Sequence, residues 1–69
     1  MLTERETEVL KWIKAFRQDL GYSPSLAEIG DGFGITKSGA RAHVDMLVEK
    51  GALTRKPGVG RSLVPAKAK

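Results

Sequence analysis

Apolar residues recur at helical spacing up to about residue 50 of this chain, and the period changes after it. Val9, Ile13, Phe16 and Leu20 follow one another three or four residues apart, with Leu10 and Trp12 beside them, which gathers one stripe along a helix. Thr3 caps that helix, and Glu6 three residues on completes a Ser/Thr-x-x-Glu capping box. Glu4, Glu6 and Glu8 suit the positive end of the helix dipole, and Gly21 supplies the left-handed residue that ends many helices. The stripe is core-forming, and it carries no assigned chemistry.

Tyr22-Ser23-Pro24 is expected to be extended, because a proline disfavours helical geometry in the residue before it. Ser25 and Glu28 make a second capping box, so a short helix is expected from Leu26 to about Phe33, with Leu26, Ile29 and Phe33 on one side. Gly30 and Gly32 cost that helix about 1 kcal/mol each relative to alanine, so tertiary packing must hold it. The two glycines are either points of close approach or weak points. Gly34-Ile35-Thr36 reads as a tight connection, with Gly34 at positive φ, Ile35 buried and Thr36 as the next N-cap. A third helix is expected from Lys37 to Glu49 or Lys50, stopped by Gly51. Ala40, Val44, Leu47 and Val48 point to one side of it; Lys37, Ser38, Arg41, Ala42 and Asp45 fall on the other.

Beyond Gly51, the runs 52–56 and 61–64 flank Pro57-Gly58-Val59-Gly60 and predict a small β-hairpin that must lie against the helices. Pro65 to Lys69 reads as a frayed basic end, with the domain taken as 1–65 and the tail as 66–69. The expected fold class is mainly α with a small β-hairpin, arranged as a three-helix winged helix-turn-helix.

Composition narrows the chemistry. A chain of 69 residues makes one domain at most. Without cysteine it has neither a disulfide framework nor a thiolate metal site, and its single histidine, His43, cannot build a metal site alone. No metal or cofactor is expected, and no small-molecule ligand is evident. No apolar run approaches the length that crosses a bilayer, and no signal-peptide pattern opens the chain, so a cytoplasmic protein without a membrane partner is expected. No nucleophile has a base partner at a recognisable spacing, so the chain does not read as an enzyme. Net charge is +4, unevenly spread: residues 1–35 carry four Lys/Arg against six Asp/Glu, and residues 36–69 carry eight against two. That asymmetry directs a polyanion to the second half, although a basic field alone confers no specificity.

The order of elements gives the polyanion a shape. The major groove of duplex DNA admits one α-helix, whose N-terminal half reaches base edges while the preceding helix braces it. Here that half carries Thr36, Lys37, Ser38, Gly39, Arg41 and Ala42. Ser38-Gly39-Ala40 is small enough for close approach, Lys37 and Arg41 are long donors, and Arg41 is capable of a bidentate contact to guanine. Arg55, Lys56 and Arg61 flank the glycines of the hairpin turn, which suits a wing laid along phosphates or entering the minor groove; a merely solvated basic turn is the plain alternative. His43, near the core side of the third helix, reads as a packed or partly exposed structural residue. Trp12, Phe16, Tyr22 and Phe33 read as core rather than as a base-stacking platform.

Three runs carry a family resemblance. Leu2-Thr3-Glu4-Arg5-Glu6-Thr7-Glu8-Val9, then Gly21-Tyr22-Ser23-Pro24-Ser25-Leu26-Ala27-Glu28-Ile29-Gly30, then His43-Val44-Asp45-Met46-Leu47-Val48-Glu49-Lys50-Gly51 resemble the N-terminal DNA-binding domain of the LexA repressors of the bacterial SOS response. The likeness covers about residues 2–64. It implies sequence-specific binding of double-stranded DNA by a bacterial or phage regulator, a repressor, associated with the nucleoid. The family's operator-reading segment falls on Thr36, Lys37, Ser38, Gly39, Arg41 and Ala42, where the match is poorest. The helix start is one residue shorter, so this chain is expected to read a sequence other than the SOS box, or to read that box weakly. LexA proteins continue into a self-cleaving peptidase domain that also dimerises them, and the 69 residues hold neither that domain nor its serine–lysine pair. The chain is either a fragment of a longer protein or, the favoured expectation, a complete small regulator. Specificity would then call for a second copy on a repeated half-site, paired through the first helix or the basic tail. A different class of function, a winged helix acting as a protein-interaction adaptor, would instead depend on Leu10, Trp12 and the first helix.

Overall fold

Residues 2–56 and 62–66 are described in the computed structural model of the chain, and its three described helices begin where the capping side chains lie. In α1 (Glu4–Leu20) the Thr3 hydroxyl accepts the Glu6 N–H at 3.1 Å, and the Glu6 carboxylate accepts the Thr3 N–H at 3.0 Å. In α2 (Leu26–Phe33) Ser25 and Glu28 exchange the same pair of bonds at 3.2 and 2.9 Å. The hydroxyl of Thr36 accepts the Gly39 N–H at 3.0 Å and opens α3 (Lys37–Glu49), leaving Lys50 as its C-cap. The turn between α2 and α3 rests on Gly34 at φ 67°, the left-handed region that glycine enters without steric cost. Two short strands follow, β1 (Leu53–Thr54) and β2 (Val64–Pro65), paired antiparallel with Leu53 opposite Pro65 and Thr54 opposite Val64.

The core lies around α3. Ala40, Val44 and Leu47 are fully buried on its inner face, against Val9 and Ile13 of α1, Ile29 of α2, and Leu53 and Leu63 of the hairpin. The helical stripe of α1 is therefore half right. Val9 and Ile13 are buried and Phe16 is partly covered, but Leu20 is 51% exposed, and Tyr22, expected in the core, is 47% exposed. Both lie at the end of α1 or just past it, where a stripe continues in direction but runs out of partner to cover it. The Tyr22 ring makes an edge contact with Phe16 at 5.6 Å.

The α2 glycines are sites of close approach. A Cβ on Gly30 would stand 2.8 Å from the Ile35 carbonyl oxygen, and one on Gly32 would stand 2.6 Å from the Trp12 ring. Trp12 fills the space over Gly32 and also meets Phe16 and Phe33, with ring centroids at 5.4 and 5.9 Å. What helical propensity is lost at these positions is recovered by letting α1 and the turn close onto α2.

The hairpin ladder is shorter than the two runs that predict it, and it reaches past them at its outer end. Pro65, read with the basic end, lies in β2, and the Ala66 N–H donates to the Ala52 carbonyl at 2.9 Å. Proline is tolerated there because β2 is an edge strand with no need of its missing N–H. Toward the turn, a side chain replaces the ladder: the Lys56 N–H donates to the Ser62 hydroxyl at 3.1 Å. The residue leading into β2 is held from the other side. The Leu63 N–H donates to the buried Ser23 hydroxyl at 3.0 Å, and the Leu63 carbonyl accepts from Arg17 Nη1 at 3.1 Å. The expected turn 57–60, Arg61 and the tail residues 67–69 lie outside the described residues.

Candidate nucleic-acid interface

With its inner face buried, α3 turns a continuous outer strip to the surface. Thr36, Lys37, Ser38, Arg41 and Ala42 are all exposed, as is Asp45 one turn further on. Lys37, Arg41 and Asp45 are spaced four apart, so they stack along one side of the helix. Gly39 is half-buried against Thr36 and Ile35, and Ala40 is fully buried. Of the three small residues expected to permit close approach, Ser38 is thus the one on the surface, and Ala40 serves the packing. The first turn of α3 holds no acidic residue, so the positive end of its dipole is not neutralised locally. His43 is half-buried beside Val44, as its place near the core side implied.

The base of the wing meets this strip through one carboxylate. Arg55 Nη1 lies 3.0 Å from Asp45 Oδ1, and Arg41 Nε lies 3.7 Å from Asp45 Oδ2. Arg55 follows β1 directly, so the pairing ties the hairpin to the outer face of α3. Lys56 is exposed, with its backbone closed onto Ser62. Arg61 lies outside the described residues. Among the described site residues, the structure therefore brings Lys37, Ser38, Arg41, Ala42 and Arg55 to one connected surface. Asp45 was assigned no role from sequence. Its i,i+4 relation to Arg41 was a readable signal, but its contact with Arg55 depends on the hairpin's return across α3.

Charge is also redistributed by long-range pairing. Lys50, part of the basic half, places its ammonium 2.7 Å from the buried carboxylate of Glu6. That hydrogen bond, together with the Thr3 N–H, holds the Glu6 carboxyl below its ordinary value, against the opposing effect of burial. With Lys50 committed to Glu6 of the first half, the outward charge of the second half is smaller than its sequence balance suggests. Among the described residues, no group of His, Asp or Glu is arranged to hold a metal ion, and no helix is long and apolar enough to cross a membrane.

Three helices, the second and third joined by a tight glycine turn and followed by a short antiparallel hairpin, define a winged helix-turn-helix domain. The family model described as the LexA DNA binding domain matches residues 1–62, and the chain belongs to that family. It is 45% identical over 62 residues to a LexA repressor of Thermosipho melanesiensis, covering 90% of this chain and 31% of that protein. With a LexA repressor of Anaeromyxobacter dehalogenans it shares 40% identity over 68 residues, 97% of this chain and 30% of the relative. A LexA repressor of Thermotoga petrophila is 43% identical over 67 residues, again 97% of this chain, and 34% of the relative. The chain thus spans about a third of the length of these relatives, and the family model it matches is that of a DNA binding domain.

Proposed function

We propose that the chain binds double-stranded DNA in a sequence-specific way and serves a transcriptional repressor as its DNA-reading domain. In this reading the start of α3 enters the major groove. Lys37, Ser38, Arg41 and Ala42 approach base edges, and Thr36 and Gly39 shape the helix start. Arg55, Lys56 and Arg61 take the backbone or the minor groove beside it. The observation that carries the reading is the exposed strip of α3, backed by a fully buried inner face and joined to the wing base at Asp45. A helix so braced presents its outer side chains as a rigid set, which base readout requires. A second copy on a repeated half-site completes the assignment, because one module of this size covers little DNA.

Selection of bound sequences from a random duplex library, repeated at several salt concentrations, tests it. An enriched motif is expected, with binding that weakens steeply as salt rises. Salt-sensitive binding without any motif would remove sequence specificity, and no binding at low salt would remove DNA as the partner.

A further inference from the structure

Asp45 stands out because it places a negative charge within a surface proposed to meet a polyanion. It is exposed, as is Arg41, yet each of its two carboxylate oxygens faces a different arginine, Arg41 of the same helix and Arg55 of the wing. Arg55 is the more covered of the two arginines, with about a quarter of its side chain exposed. The bridge joins the two parts of the interface that sequence reading assigned to separate tasks.

Consider what each kind of duplex asks of these groups. A random duplex sets no guanine edge against Arg41, and turning Arg41 aside onto a flanking phosphate moves its guanidinium off Asp45. The carboxylate then keeps Arg55 alone and faces the phosphate charge. A matched duplex offers a guanine edge. Arg41 meets Asp45 through Nε at 3.7 Å and Arg55 meets it through Nη1 at 3.0 Å, so the end of the Arg41 guanidinium can reach a guanine, and the other donors of Arg55 the backbone, with the bridge intact. The cost of losing the bridge therefore falls on the wrong sequences.

Resting on the DNA-binding reading above, we propose that Asp45 is a specificity-determining residue: its carboxylate holds Arg41 and Arg55 in one bridge and penalises the transfer of Arg41 to phosphates. The residue acts by positioning the arginines, and its loss raises random binding more than matched binding.

The test compares wild type, Asp45→Asn and Glu49→Gln. The last removes the same charge from an exposed position in the final turn of α3 without touching the bridge. Affinities are measured for the selected duplex and for a scrambled one. Arginine side-chain NMR of the free proteins reports whether rotation of the Arg55 guanidinium is hindered. Asp45→Asn is expected to free the Arg55 guanidinium and to lower the selected-to-scrambled ratio by about 3-fold, the scale of one exposed ion pair. Glu49→Gln is expected to raise both affinities alike and keep the ratio. Equal Arg55 signals in wild type and Asp45→Asn, or a ratio unchanged by Asp45→Asn while wild type still selects, would overturn the role of Asp45 alone. A wild type with no preference for any sequence would overturn the DNA-reading assignment, and this proposal with it.

Discussion

Arg41 and Lys56 are both exposed cations, but their settings assign them different work. Arg41 projects from the braced helix, so Arg41→Ala is expected to cost about 1–3 kcal/mol at one base pair and little elsewhere. Lys56 extends from the base of the wing, which in the proposed docking lies along phosphates. Lys56→Ala should weaken binding to all sequences alike and reduce the salt slope by about one. Titrations against the selected duplex and its single-base variants, over a range of salt, separate the two; a changed base preference in Lys56→Ala would make the wing a reader of bases. Glu6 acts on stability instead. The Lys50 hydrogen bond and the Thr3 N–H lower its pKa in the folded state, so it stabilises the fold at neutral pH. That contribution is present above the ordinary glutamate value and is lost as pH falls through the depressed one. Glu6→Gln should therefore lower Tm at pH 7 and show a shallower fall of Tm on acidification. Parallel Tm–pH curves for the two proteins would contradict this.

Among the elements, α2 is the one whose existence depends most on its neighbours. Gly30→Ala should improve its intrinsic helical propensity by about 1 kcal/mol. The new Cβ would meet the Ile35 carbonyl, which is backbone and cannot turn aside as a side chain would. Steric strain should win, giving a net destabilisation of about 1–3 kcal/mol in a thermal or denaturant melt; a stabilised protein would show that the turn can retreat. What was legible in the sequence follows the same division. Local signals located the elements well: Thr3 with Glu6, Ser25 with Glu28, Thr36, Gly21 and Gly34 all cap where their types require. Contacts between distant residues were not legible. Ser23 receiving Leu63 and Glu6 receiving Lys50 each join residues forty or more positions apart, as their sequence separations of 40 and 44 record. Nothing in the local pattern of either residue marks its partner. Leu20 and Tyr22 failed for a related reason, since periodicity gives a side chain's direction but not whether an element waits there. The candidate interface shared both fates: its helical face was readable from the spacing of Lys37, Arg41 and Ala42, while its junction with the wing through Asp45 and Arg55 required the fold.

At the scale of the whole molecule the question is how two such domains would share a duplex. The backbone of the described residues extends 31 × 25 × 24 Å. Half-sites one turn apart place equivalent points about 34–36 Å from each other on one face of DNA. Two copies fit at that spacing with their bodies nearly in reach. The outward side of α1 carries Glu4, Arg5, Glu8, Lys11, Lys14 and Asp19, all exposed and of mixed sign, and offers no broad apolar seam. Pairing through α1 would therefore rest on exposed charge pairs, individually worth about 0.2–1 kcal/mol and screened by salt. We accordingly expect a monomer in free solution, and on a duplex with two half-sites one turn apart a gain of a few-fold for the second copy over the first. Sedimentation with one-half-site and two-half-site duplexes measures that gain. Inserting half a turn between the half-sites moves the second copy to the opposite face and should abolish it. Independent binding at the phased spacing would reject pairing between these domains and leave any cooperativity to parts of a longer protein.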